Sequence, residues 1–513
     1  MAARRFPHGG VATPHYLAST AGFLTLARGG NAVDAAVAAN LALGVVAPYL
    51  CGYGGDLFTI VWDGELHGYL GSGRSPNAAT IDAVRDRVDS DTMPVLGHHA
   101  VTVPGAVAGW FELLDRWGTR SFGELAEVAL GFAHDGFELT PMGAMFVAGS
   151  AAMYDGFPDL QAAYADAEAG RPLRQPALAR TIETLAADGP DAYYRGPIAA
   201  AIADTIQAGG GLLTTDDLAS HDGQWVEPLV APYRDVEVAE LPPPTQGVTA
   251  LEALRILDGF PLPADGPDRH HLLIEAMKIA LQDRDEHVSD PDAMAVAPQA
   301  MLTEDWIVDR RARIDPQHAA TARSGAAHVG GTAYLCAADA DGMIVSLIQS
   351  NFLSFGSGVH VPEWGINLNN RGSSFTFDEM STNALAPAKL PMHTLIPAMV
   401  MRDEEPWTAF GSMGGDSQPQ IQIELLAHLV DDGDDPQDAL DAPRWCIDPS
   451  AWTLRAERAF PPEWFDALRA LGHDPQRAGR VDTGMGHAHA IERTEGGYAV
   501  GTDPRAEGAA LGL

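Results

Sequence analysis

Gly330-Gly331-Thr332-Ala333-Tyr334-Leu335-Cys336-Ala337-Ala338 is the stretch on which the reading of this chain turns. Two glycines run straight into a hydroxyl residue, and Thr332 opens an apolar run to Ala338. Asp339-Ala340-Asp341-Gly342 reads as a turn, and Met343 to Ile348 as a second apolar run. Two β-rich runs joined by a turn containing Asp-Gly predict a hairpin. Its first residue is a threonine approached through residues without side chains, a place where a hydroxyl nucleophile could be reached. A Gly-Gly-Thr entry to a strand is equally an ordinary turn, so the assignment depends on its surroundings.

Upstream, residues 312–331 are small and polar and read as a linker that ends at Thr332. Further back, residues 15–28 have helical spacing, and Asn31 caps an Ala/Val/Leu helix to about Val46 that is apolar nearly all round and therefore buried. Cys51-Gly52-Tyr53-Gly54-Gly55-Asp56 is a glycine-rich loop entering a strand, Leu57 to Trp62, with His67 to Leu70 as its partner. No helix with phosphate-loop spacing follows. Gly71 to Pro76 forms a loop carrying Arg74, placed for a binding role. Helices are predicted over 105–118, from the Ser121–Glu124 capping box to Gly136, and over 176–187, 197–208, 246–257 and 270–285. Residues 226–238 read as one strand. His270 and His271 are adjacent on a helix and point to different faces, and no metal-ligand partner is read at i+4. Downstream, a strand from Trp407 enters Gly411-Ser412-Met413-Gly414-Gly415-Asp416, and a helix begins at Gln418. Backbone N–H groups in such a loop can stabilise an oxyanion. No Gly-x-Ser-x-Gly elbow is present, so a serine triad is not supported.

The 513 residues call for more than one simple core. Formal net charge is −37, and Lys278 and Lys389 are the only lysines; a nucleic-acid partner is not expected, because no basic patch offsets phosphate repulsion. Such acidity fits a strongly solvated surface or a salt-rich environment. Three widely spaced cysteines fit a reducing compartment without a disulfide framework. There is no signal peptide or membrane-length apolar run, and a cytoplasmic location with no membrane partner is expected.

Together these stretches resemble the gamma-glutamyltransferase family of N-terminal-nucleophile hydrolases over nearly the whole chain. The resemblance rests on Gly29 to Ala38, Gly210 to Thr214 with Asp217-Leu218, Val226 to Leu229, Pro242 to Pro244, the 271–285 helix, Thr332 with its hairpin, Phe355 to Val359, Leu368 to Asn370, and Gly411 to Gly415 with Asp441 to Arg444. It implies an α+β fold, the four-layer αββα sandwich. It also implies autocleavage between Gly331 and Thr332, giving chains 1–331 and 332–513 that stay associated. Thr332 becomes the nucleophile and Ser350 the second hydroxyl beside it; Gly414 and Gly415 supply the oxyanion N–H groups. No cofactor or metal is implied. The partners are a small-molecule amide and water or an amine acceptor.

The pocket departs from the family pattern. Arg74, Asn370, Arg371, Ser374, His393 and Thr394 occupy the substrate-binding positions. Ser373 and Ser374 stand where acids grip the α-ammonium of a γ-glutamyl group, Arg371 replaces a neutral or acidic residue, and His393-Thr394 replace a serine pair. A buried ammonium without a carboxylate is costly. The donor is therefore a γ-glutamyl or related anionic acyl amide, or a non-amino acyl amide of oxamate-like or cephalosporin type. An unprocessed, non-catalytic binding protein is the remaining reading.

Overall fold

Strand periodicity decides the layering. Ala333, Leu335 and Ala337 of the strand Gly331–Ala338 join one apolar cluster with the helices Tyr16–Ala27, Ala32–Val46, Ala106–Trp117 and Phe122–Asp135. Tyr334, Cys336 and Ala338 join a second cluster with Met399, Ala409, Ile491 and Val500. Alternate side chains of one strand thus face a helical layer and another sheet, which is why the run is apolar at every position. A third cluster packs the far face of that other sheet against Gly247–Leu257, Pro267–His287, Gln418–Leu426 and Pro462–Ala470. The result is helix, sheet, sheet, helix: the four-layer α+β sandwich expected. The computed structural model describes residues 2–88, 90–320 and 331–513.

The first sheet runs Ala509–Gly512, Gly10–Thr13, Gly331–Ala338, Ile344–Phe352, Asp56–Trp62, Leu66–Gly71 and Gln224–Val226. The second runs Arg4–Phe6, Gly497–Thr502, Ala488–Thr494, Glu405–Ser412, Ala398–Arg402, Val236–Glu240 and Leu229–Tyr233. The hairpin that opens at Gly331 is therefore central, covered on both edges and both faces. A Cβ on Gly411 would run into the Tyr334 ring, so the strand ending at Ser412 lies directly over the one beginning at Gly331.

Two expectations are corrected. Residues 226–238 are not one strand: Arg234, at φ +55°, turns Leu229–Tyr233 back onto Val236–Glu240, and Gln224–Val226 belongs to the other sheet. The return strand of the central hairpin runs on to Phe352 rather than stopping at Ile348. Half of the linker reading for 312–331 falls on 321–330, outside the described residues. Asn31 caps its helix with a capping box shared with Asp34, and all fifteen residues of that helix are buried. Among the described residues no helix is long and apolar enough to cross a membrane.

Candidate active site

The site grows from the open end of the central hairpin. Gly331 pairs with Phe352 and Ala333 with Gln349, so the return strand bulges by one residue at Ser350–Asn351, opposite Thr332. Thr332 and Ser350, both 1% exposed, meet there. Ser350 Oγ accepts from Thr332 Oγ1 at 3.2 Å and from the Phe352 N–H at 2.7 Å, and donates to the Gly331 carbonyl at 2.5 Å. One hydroxyl thus holds the Thr332 hydroxyl oxygen and the carbonyl oxygen of the preceding residue at once. Polarising that carbonyl while aligning a hydroxyl beside it is the geometry an N→O acyl shift requires.

Above Phe352 lies Arg371, also 1% exposed, its guanidinium carbon 3.7 Å from the ring centroid. Its Nη2 donates to Thr394 Oγ1 at 3.2 Å and its Nη1 reaches Ser374 Oγ at 3.4 Å; Nε donates to nothing. Among the described residues no carboxylate pairs with it. Burial pulls its pKa down to about 9, and the more distant Asp56 and Asp416 offset only part of that. A buried cation with unspent donors is expensive unless a partner arrives.

Asp56, at the end of the glycine-rich loop, faces donors only. Its Oδ2 accepts from His393 Nε2 at 3.0 Å and its Oδ1 from the Gly105 N–H at 3.3 Å; the Gly73 N–H also donates to the carboxylate. The Leu395 N–H occupies His393 Nδ1, so His393 carries its proton on Nε2 and is neutral. Burial, reinforced by Arg371, keeps its pKa well below the ordinary imidazole value. Burial also raises Asp56 to about 7.

The glycine loop completes the enclosure. Gly414 and Gly415 lie at φ +151° and +58°, a backbone that side chains resist. Gln246 Nε2 donates to both Thr394 O and Gly415 O at 2.9 Å, and Arg284 bonds Gln246 Oε1 and Asp416. An unbroken chain of contacts therefore runs Thr332, Ser350, Phe352, Arg371, Thr394, Gln246, Gly415. Successive N–H groups in a left-handed turn form an anion cradle.

Of the residues expected from sequence, Thr332, Ser350, Gly331, Arg371, Ser374, Thr394 and Gly415 are joined by these contacts, and Gly414 precedes Gly415 in the glycine loop. His393 sits one step behind this chain of contacts through Asp56. Asn370 shapes the site: its Oδ1 takes the Leu353 N–H and its Nδ2 bonds Val95 O. Arg74, partly exposed, is turned to Asp290 and Ala388 O and bonds none of the residues of that chain of contacts. Asp56, Gln246, Arg284, Phe352 and Asp416 were not foreseen; a carboxylate closing a glycine-rich loop at a strand entry was the signal available for Asp56.

The helix carrying His271 needs a correction. Glu275 stands one turn after His271, and His473 meets both, the three buried ligand atoms lying within 4.8 Å. His271 Nε2 donates to Asp315 O at 2.8 Å, leaving Nδ1 to accept from His473 Nε2 at 2.8 Å; Lys278 and the Ala320 N–H hold Glu275. These atoms are paired with one another, a joint between the helix and residues 315–320. His270 points elsewhere, to Asp265 and Trp445.

Comparison with known proteins places this geometry. Residues 18–513 match the family model described as Gamma-glutamyltranspeptidase. The chain is 36% identical over 521 residues to a glutathione hydrolase-like YwrD proenzyme of Bacillus subtilis, covering 98% of each. It is 36% identical over 523 residues to an oxamate amidohydrolase proenzyme of Klebsiella pneumoniae, again covering 98% of each. The crystal structure of a cephalosporin acylase from Bacillus halodurans superimposes with a TM-score of 0.95 at 36% identity, covering 100% of this chain and 98% of that one.

Proposed function

This chain belongs to the gamma-glutamyltranspeptidase family of autoprocessing amide hydrolases, and from that premise we propose that Thr332 is its nucleophile and that its acyl donor carries a carboxylate but no α-ammonium. In the precursor, Thr332 Oγ attacks the Gly331 carbonyl carbon. The C–N bond breaks, the hydroxyl proton passes to the departing nitrogen, and water opens the resulting ester. Chains 1–331 and 332–513 result. The freed α-amine, with an ordinary pKa of about 7.7–8.0, then serves as general base for its own hydroxyl. Attack on a substrate amide gives an acyl-enzyme and releases the amine; the N–H groups of Gly414 and Gly415 receive the oxyanion. Water or an amine then takes the acyl group.

Arg371 carries the substrate assignment. Its unspent donors in a buried setting fit an incoming carboxylate, which Arg recognises through paired N–H groups. The nearby acids are already engaged, Asp56 by His393 and Asp416 by Arg284, so neither is free for an ammonium. Within the class of γ-glutamyl and related anionic acyl amides, this favours dicarboxylic monoamides. Cys51, Cys336 and Cys446 are buried and free, which supports a reducing, cytoplasmic setting.

The test compares the p-nitroanilides of glutaric acid and of γ-linked glutamate, which differ only in the α-ammonium, with glutathione as a further donor. Higher kcat/KM for the glutaryl compound is expected. A clear preference for the γ-glutamyl donors would overturn the assignment.

A further inference from the structure

Phe352 occupies a position that its backbone makes costly. Its φ is +79°, a region few side chains enter and bulky aromatic ones least of all. It sits directly opposite Gly331 at the hairpin's bulge. That backbone turns the Phe352 N–H onto Ser350 Oγ at 2.7 Å. Glycine or asparagine would supply the same N–H with less strain. The ring therefore has its own work, and one of its contacts is with the Arg371 guanidinium, whose central carbon lies 3.7 Å from the ring centroid.

We propose that Phe352 is a positioning residue that joins the nucleophile to the specificity pocket, its N–H fixing Ser350 and its ring fixing the plane of Arg371. The proposal rests on the reading of Arg371 as the carboxylate-binding group. With the ring against the guanidinium, Nη1 toward Ser374 and Nη2 toward Thr394, the donor left unspent is the buried Nε, which a ligand meets by an approach in the guanidinium plane. A planar carboxylate suits that in-plane approach. Because the same residue contacts Ser350, the site of the anion is set relative to the Thr332 hydroxyl through one rigid strand end. Arg371 without the ring would keep its charge but lose its orientation.

Backbone and ring can be separated by substitution. Phe352→Gly and Phe352→Leu both keep the N–H; Phe352→Tyr keeps the aromatic face as well. The readouts are cleavage into two chains, and selectivity for glutaryl over pentanoyl p-nitroanilide, the latter lacking the carboxylate. Phe352→Leu and Phe352→Gly are expected to cleave, with glutaryl selectivity lowered about tenfold, the scale of a desolvated cation–π contact. Phe352→Tyr should stay near the parent. The double variant Phe352→Leu/Arg371→Met should be no less selective than Arg371→Met alone, because the ring acts through the guanidinium. If Arg371→Met lowers selectivity while the Leu and Gly variants do not, or if the two effects multiply, the proposal is overturned although the Arg371 reading stands. If Arg371→Met itself leaves selectivity unchanged, both fall. Should the Leu variant fail to fold, the Gly and Tyr variants decide by the same comparison.

Discussion

Replacing Arg371 by methionine should make this protein more stable and less selective at once. Burial pulls the guanidinium well below its ordinary value, to about 9, a shortfall worth about 5 kcal/mol at 1.36 kcal/mol per unit. That figure bounds the gain from above. Methionine keeps an unbranched apolar chain against the Phe352 ring but gives up two long hydroxyl bonds, each worth about 1 kcal/mol, and the cation–π contact. Hydrophobic replacement of an uncompensated buried charge commonly stabilises by about 1–4 kcal/mol, and a gain at the lower end of that range is expected here. Binding moves the other way. Losing a desolvated guanidinium–carboxylate pair costs about 2–5 kcal/mol, which is about 30-fold to several thousand-fold in kcat/KM for glutaryl p-nitroanilide. The assays are urea unfolding of the processed protein and the glutaryl-to-pentanoyl selectivity. An Arg371→Met variant that is less stable and equally selective would refute the reasoning, because Arg371 would then be a structural group with its partners already in place.

Three further outcomes follow from other parts of the molecule. Ser350→Ala removes the donor to the Gly331 carbonyl and the acceptor of the Phe352 N–H; autocleavage, followed by gel over time, should slow about 10²–10³-fold, and a rate within about threefold of the parent would refute the role. Burial pushes the Asp503 carboxyl up, but Arg444, Arg505 and the Ala488 N–H outweigh it and hold it at about 2, below its ordinary 3.8. A depressed carboxylate contributes stability that is complete above about pH 4 and lost as pH falls through 2, about 2 kcal/mol in all; unfolding midpoints should show that acid limb in the parent and not in Asp503→Asn, which is destabilised already at pH 7. With a net charge of −37, the unfolding midpoint should rise between low and molar KCl as the Debye length shrinks to about 3 Å, and a flat response would remove the salt-adaptation reading.

Legibility followed from how local each signal was. The Asn31 cap, the Ser121 capping box and the turn of the central hairpin are written in neighbouring residues, and the structure has them where the spacing put them. The strands 229–240 were misread because Arg234 supplies the turn without glycine or a prolyl bend, so an alternating pattern ran through it. Glu275 stands at the i+4 position from His271 and was misread as no partner, whereas His473, which meets both, lies on a distant segment. The glycines and hydroxyls of the candidate site announced themselves through motifs, as did Arg371 through its departure from one. Phe352, Gln246 and Arg284 did not, since a phenylalanine at a strand end, a glutamine before a helix and an arginine within one carry no chemistry until the fold sets them beside Ser350, Thr394 and Asp416.

The central claim is that Thr332 cleaves its own chain and then acts as the nucleophile, and intact mass measurement of the purified protein tests it most directly. The parent should resolve into chains of 331 and 182 residues, the smaller beginning at Thr332, while Thr332→Ala remains a single chain of 513. A parent that stays intact, or a Thr332→Ala variant that is cut at the same bond, would contradict the account.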